Sequence, residues 1–305
     1  MLLLQQMIVL FILMILGYFL RKTEKITETT CKSLSWIVVN VANPALIISG
    51  SISSERQVVG EELIKTMGIA VALFAGLILL SLLIPVILRV QKQSAGVYKV
   101  MTIFSNIGFM GFPLISALYG SESLVYASLF LIPFNLLIYT YGILAMKTKK
   151  DEKEKIDFKK ALNIGVFSCI VSIIISLTHI TVPDFAKTTV MNLSNLTAPL
   201  SMMVIGASMA NIDLKKLFTD VRLLLFSALK LIVIPVLGLL LMKIWIQDEI
   251  LLGICMVMLA TPVASMSAML AQQYDGDYEL ASKGVALTTI LSVVTMPLVS
   301  LITGI

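Results

Sequence analysis

The sequence predicts an all-α membrane protein of ten transmembrane helices in two inverted five-helix repeats, with broken helices four and nine crossing at the midplane. Three observations lead there. Hydrophobic residues make up 58% of the 305 and charged residues only 13%, with a mean hydropathy of +0.98, a balance no water-soluble core and polar shell reaches. Apolar runs recur at lengths near the roughly 20 residues a helix needs to cross about 30 Å of hydrocarbon. Prolines and glycines fall in the same order in the two halves of the chain.

The predicted spans are Leu2 to Leu20, Leu34 to Gly50, Leu63 to Leu88, Val100 to Leu118, Leu124 to Met146, Ala161 to Thr178, Thr188 to Ala210, Leu223 to Ile244, Ile250 to Leu270 and Gly284 to Ile305. No Lys or Arg precedes the first run, which predicts a retained first helix rather than a cleaved signal peptide. Cys31, Cys169 and Cys255 have no metal-like spacing, and two of them fall inside spans. They read as small buried apolar residues without a disulfide framework.

Charge sorts by loop. Eighteen of the 23 basic residues lie in the odd-numbered loops, including Arg21, Lys22, Lys25, Arg89, Lys92, Lys215, Lys216 and Arg222. The even-numbered loops and helix margins hold Arg56, Lys65, Lys187 and Lys243. An excess of basic residues marks the cytoplasmic side, so both termini are expected on the extracytoplasmic face of the cell membrane. The run KTKKDEKEKIDFKK, with acids diluting its bases, reads as a solvated cytoplasmic linker over 147–160. It separates a first repeat, 1–146, from a second, 161–305.

The halves match through Pro44 with Pro199, Pro85 with Pro235, Pro113 with Pro262, Gly50 with Gly206 and Tyr119 with Tyr274, at nearly constant spacing. Each half holds an odd number of spans, so the second enters the membrane the other way up. That is the inverted-topology repeat of secondary transporters.

Proline inside a helix removes a backbone hydrogen bond at a cost of about 3 kcal/mol, and lipid offers no water to replace it. Such breaks are therefore expected only where protein or a wet cavity satisfies them. Span four carries Asn106, Gly108, Gly111 and Pro113 in SNIGFMGFPL, and span nine carries Thr261, Pro262 and Ser265 in ATPVAS. Were these two spans to cross, half-helix N-termini, each with about half a positive charge, would form an anion cradle beside amide and hydroxyl groups. Asn40 and Asn43, beside Pro44 in NVANPALI, could line the same cavity, though a kink with satisfied amides fits Asn40 equally well. Asn135, Tyr139 and Tyr141 of span five read as packing and interfacial groups.

Missing charges narrow the chemistry. All 18 acidic residues fall in loops or at span edges, and the one histidine, His179, is at a span end. An acidic intramembrane ion relay is therefore not expected. Lys230 is the sole charged residue well inside a span, either pairing with backbone carbonyls or drawing an anion to the cavity. Such a site suits a carboxylate-bearing organic anion better than a metal cation, and an anion is driven out of a negative cell by about 2.3 kcal/mol per charge per 100 mV. No HExxH or GxSxG motif is present, so neither an enzyme, a cofactor, a metal site nor a nucleic-acid partner is expected.

At these residues the sequence resembles the auxin efflux carrier family, which includes the plant PIN-FORMED carriers and bacterial permeases. NVANPALI is similar to that family's span-two proline motif, SNIGFMGFPLISALYG to its span-four pattern, and ATPVASMSAMLAQQY to its span-nine pattern. The resemblance covers the chain in span order, without the long central loop of the plant members. It implies two inverted five-helix repeats like those of sodium/proton antiporters and bile-acid symporters. It also implies a scaffold of spans one, two, six and seven, a transport domain of spans three to five and eight to ten, and a homodimer. Substrate is implied at Asn106 and the span-nine crossover. Val263, Ala264 and Ser265 depart from the plant motif, so indole-acetate specificity does not carry over. The expected function is elevator-type transport of a small organic anion, with a sodium- or proton-coupled symporter as the alternative and a channel as a more distant one.

Overall fold

The computed structural model describes residues 2–52, 60–146, 163–178, 180–210, 212, 217–274 and 276–305. The linker 147–160 lies outside them, as do Arg56, Ala161, His179, Lys215, Lys216 and Asp275. In chain order the helices are α1 (Leu2–Lys22), α2 (Glu28–Ile52), α3 (Gly60–Ile87), α4 (Lys92–Ile103), α5 (Ile107–Tyr119) and α6 (Ser123–Met146), followed by α7 (Ile164–Thr178), α8 (Asp184–Met209), α9 (Val221–Met242), α10 (Glu249–Ala260), α11 (Met266–Gln273) and α12 (Tyr278–Thr303). Among the described residues there is no strand, only the isolated bridge between Ser105 and Val263.

Seven of these helices are long and apolar enough to cross a membrane: α1, α2, α3, α6, α8, α9 and α12. The chain is a multi-pass membrane protein. The fourth and ninth predicted spans are not single helices but the split pairs α4/α5 and α10/α11, and α7 is shorter than a full crossing.

Span starts are set by short polar caps. The Asp220, Asp248 and Asp277 carboxylates accept the backbone N–H groups of Leu223, Leu251 and Leu280, and the Thr27 hydroxyl that of Thr30. Each cap satisfies a donor the helix leaves orphaned, and the acids also complement the positive end of the helix dipole. This is why acidic residues collect at span edges.

The prolines act in two different ways. Turns of π-helix over Val38–Ala42, Ile107–Gly111 and Leu229–Val233 each end two residues before a proline, at Pro44, Pro113 and Pro235. A proline ring clashes with the carbonyl four residues back and offers it no N–H, and a widened turn relieves the clash. Pro85 and Pro297, by contrast, sit inside continuous α-helix, and Pro199 lies in the first turn after a local bend in α8. Prolines matched by spacing thus do not act alike in the two halves. The proline sets where the ladder is weakened, and the neighbours decide whether it opens.

α1 runs along α8, while α2 packs on α7 and α8. The other helices pack on one another, α4 against α3, α6 and α12, α9 against α10 and α12, and α10 against α5, and they also meet the first group, α6 on α2 and α7, α5 on α8 and α12 on α1. The α1/α8 contact requires glycine on both sides. A Cβ on Gly206 would stand 1.8 Å from the Met14 carbonyl oxygen, and one on Gly17 would stand 2.1 Å from that of Met203. Both obstacles are backbone, so a methyl group can be admitted only by parting the helices.

Gly206→Ala is expected to cost about 2 kcal/mol through overpacking and to lower the thermal unfolding midpoint in detergent. Gly76→Ala, whose methyl meets nothing within 4 Å, should leave it unchanged.

Candidate functional site

Both split helices unwind at one place. α4 ends at Ile103, Phe104 is extended (φ −98°, ψ 105°), and Asn106 (φ −80°, ψ 62°) forms an inverse γ-turn in which the Ile107 N–H donates to the Ser105 carbonyl at 2.9 Å. The break thus lies at 104–106 with Asn106 inside it. Pro113 sits beyond, in the first turn of the α-helical part of α5, after the π turn Ile107–Gly111 that makes room for its ring. In the second pair α10 ends at Ala260, and Thr261 takes an extended conformation (φ −62°, ψ 148°), as the residue before Pro262 is driven to do.

The two unwound segments pair antiparallel. The Asn106 N–H donates to the Pro262 carbonyl at 2.7 Å, and the Ala264 N–H to the Phe104 carbonyl at 2.9 Å. The Val263 N–H is taken by the Thr288 hydroxyl of α12 at 3.1 Å. Phe104, Thr261, Val263 and Thr288 are fully buried, and the Phe104 ring stands edge-on to Phe134 at 5.3 Å. The carbonyl that Pro113 deprives of its helical donor, that of Phe109, accepts from the Ser201 hydroxyl of α8 at 2.8 Å.

Against that accounting, several buried polar atoms among the described residues have no protein partner: Asn106 Nδ2, Thr261 Oγ1, Asn43 Oδ1 and Ser267 Oγ, and also Ser176 Oγ of α7, Thr197 Oγ1 of α8 and Thr295 Oγ1 of α12. Asn43 stands next to Gly108, whose added Cβ would come within 3.4 Å of the Asn43 Nδ2. A buried polar atom left unpaired costs roughly 1–3 kcal/mol. Asn106 and Thr261 belong to the two paired segments, and Asn43 stands against Gly108.

The other sequence candidates divide. Gly111 is buried, but a methyl there meets only ordinary contacts, the nearest at 3.5 Å from Ile107 Cβ. Ser265 is partly exposed and caps the backbone of Ala268 and Met269 through its carbonyl. Asn40 donates to the Trp36 carbonyl one turn back on its own helix and so takes the kink reading. Lys230 is completely buried, its ammonium donating to the Thr102 carbonyl at 3.1 Å and the Ser105 hydroxyl at 2.7 Å. It holds the break from behind. Asn135 donates to the Leu131 carbonyl and accepts from Asn163 at 2.5 Å, which ties α6 to the start of α7.

Sequence reading missed Ser105, Thr288 and Ser201. Ser105 stands beside Asn106 in the quoted motif and could have been singled out there. Thr288 and Ser201 carry no local signal, since serine and threonine in apolar helices usually bond back to their own turn. Two recesses open elsewhere, one lined by Glu62, Lys65, Tyr126 and Asp248 and the other by Gln91, Tyr98, Asp220 and Asp277. Neither includes a residue of the crossing.

Comparison with known proteins bears on what such a crossing is for. The family model described as membrane transport protein matches residues 2–164 and 153–300. An uncharacterized transporter of Methanothermobacter thermautotrophicus is 24% identical over 297 residues, 95% of this chain and 95% of its own length. An uncharacterized transporter of Methanocaldococcus jannaschii is 26% identical over 299 residues, 95% of this chain and 96% of its own.

Thr288→Val is expected to lower the thermal midpoint by leaving the buried Val263 N–H without an acceptor, a cost of about 2 kcal/mol. Thr288→Ser should restore it, and a serine variant as unstable as valine would show that the methyl rather than the hydroxyl matters.

Proposed function

The chain belongs to the membrane transport protein family, the family of the auxin efflux carriers, and on that premise we propose that it is a secondary carrier moving a small organic anion, a carboxylate, through the crossing of its two broken helices. The observation that carries the reading is the set of unpartnered atoms, Asn106 Nδ2, Thr261 Oγ1 and Asn43 Oδ1, beside two helix beginnings. An amide donor and helix N-termini favour negative charge. The hydroxyl and the second amide can rotate or turn to donate as well.

The path is alternating access of elevator type. α1, α2, α7 and α8 form the scaffold, and α3 to α6 with α9 to α12 form the transport domain, an assignment supported by the way these helices pack. The site lies at their border, because Asn43 belongs to α2 and Gly108 to α5. Among the described residues the polar ties across the border are few, Ser201 to the Phe109 carbonyl, Asn163 to Asn135 and Ser128 with Cys169. Such a surface can slide at modest cost. Two inverted five-helix repeats, 1–146 and 161–305, fit this layout, in which one unwound segment from each half meets the other antiparallel. In this reading the carrier is a homodimer in the cell membrane with both termini extracytoplasmic.

A thermal-shift screen of the purified protein against mono- and dicarboxylates names the ligand, and flux of that anion into proteoliposomes tests the site. Asn106→Ala should reduce flux at least tenfold, the loss of one hydrogen bond to a charged group, with the protein still folded. Gly108→Val, which fills the space against Asn43, should do the same. Unchanged flux in both variants would refute the crossover as the binding site.

A further inference from the structure

We propose that Lys230 is a tethered cation whose ammonium occupies, at the C-terminal end of α4, the kind of place where discontinuous helices can coordinate a sodium ion, so that the crossing assembles without sodium. The inference rests on the carrier reading above but not on the substrate.

The ammonium is bound by the kind of oxygen ligands a hard monovalent cation uses, a main-chain carbonyl and a hydroxyl, at 3.1 and 2.7 Å. Both oxygens belong to the end of the half-helix: Thr102 is in the last turn of α4, and Ser105 lies in the unwound segment that follows. The last carbonyls of a helix have no donors within it and carry about half a negative charge. Unwound carbonyls and half-helix C-termini are where transporters with discontinuous helices coordinate their sodium.

Lys230 reaches this point from α9, from the π turn Leu229–Val233 that ends two residues before Pro235, with its side chain wholly enclosed. No carboxylate pairs with it among the described residues. An uncompensated charge at this depth is costly, and what compensates it here is the end of α4. Ser105 is also the residue that pairs with Val263, and Asn106 follows it directly. The tether therefore fixes the conformation of the first break from the side opposite Asn43 and Gly108. At the second break, among the described residues, the Thr261 hydroxyl is buried without a protein partner. Lys230 acts through the backbone it holds and is a positioning residue.

The test is thermal unfolding of the purified full-length chain in sodium chloride, potassium chloride, n-propylammonium chloride and choline chloride at equal ionic strength, with no organic anion added. Wild type should unfold at the same temperature in sodium as in choline. Lys230→Ala, which leaves the oxygen cage and removes the cation, should lose about 5 °C and recover at least half of it in n-propylammonium or sodium, but not in choline. Lys230→Met, which fills the space without charge, should be destabilised and recover in none of them. Because a purely structural lysine would not be replaced selectively by a small cation, that rescue separates the two roles. Stabilisation of wild type by sodium over choline would overturn the proposal, as would a Lys230→Ala variant indifferent to every cation or a Lys230→Met variant as stable as wild type. Should Lys230→Ala fail to fold, the wild-type and Lys230→Met comparisons decide. Carboxylates that fail to bind would bear on the anion reading alone.

Discussion

Everything in this molecule that is not plain helix follows from one constraint: in hydrocarbon each backbone N–H and carbonyl must find its partner inside the protein. Two segments leave the helical ladder, and they settle their accounts with each other. Asn106 gives its N–H to Pro262, and Ala264 gives its N–H to Phe104. The remaining debts are met by single side chains from elsewhere, Thr288 for Val263, Ser201 for Phe109 and Lys230 for Thr102. Neither break could persist alone, so the two are one structure.

That mutual satisfaction gives the unsatisfied atoms their meaning. Whereas backbone groups of the two segments pair with each other, the side-chain atoms Asn106 Nδ2, Thr261 Oγ1 and Asn43 Oδ1 have no protein partner. A site of the proposed kind on such paired backbone would be preorganised, with little ordering left to be done when a ligand enters. Lys230 and Asn106 both bring donors to the first break. In the proposed reading such donors favour an anion over a metal ion.

The locations of the spans were legible because a run of about 20 apolar residues has few uses outside a bilayer. The two motifs at the crossing were legible for a related reason, since glycine, proline and asparagine in the middle of such a run go against the helix and imply a local need. Less was legible about what each proline does. Pro113 and Pro262 flank or lie within unwound backbone, whereas Pro85 and Pro297 ride in intact helix, and a single residue type cannot announce which neighbours will come to its aid. Asn40 and Asn43 make the same point. One turn apart in one motif, they differ in that Asn40 bonds its own helix while Asn43 faces Gly108.

By itself the sequence determined that this chain lives in a membrane, where its apolar stretches begin and end, that two of them are weakened at mid-span, and which family it resembles. These follow from composition and spacing, which are local. The tertiary structure alone decided that the weakened stretches meet, that the break falls on Asn106 rather than on Pro113, and that the ammonium of Lys230 lies against Thr102 and Ser105, more than a hundred residues earlier in the chain. The reason is that a hydrogen-bond partner in the bilayer is chosen by proximity in space, and helices far apart in sequence become neighbours only once the whole bundle has packed.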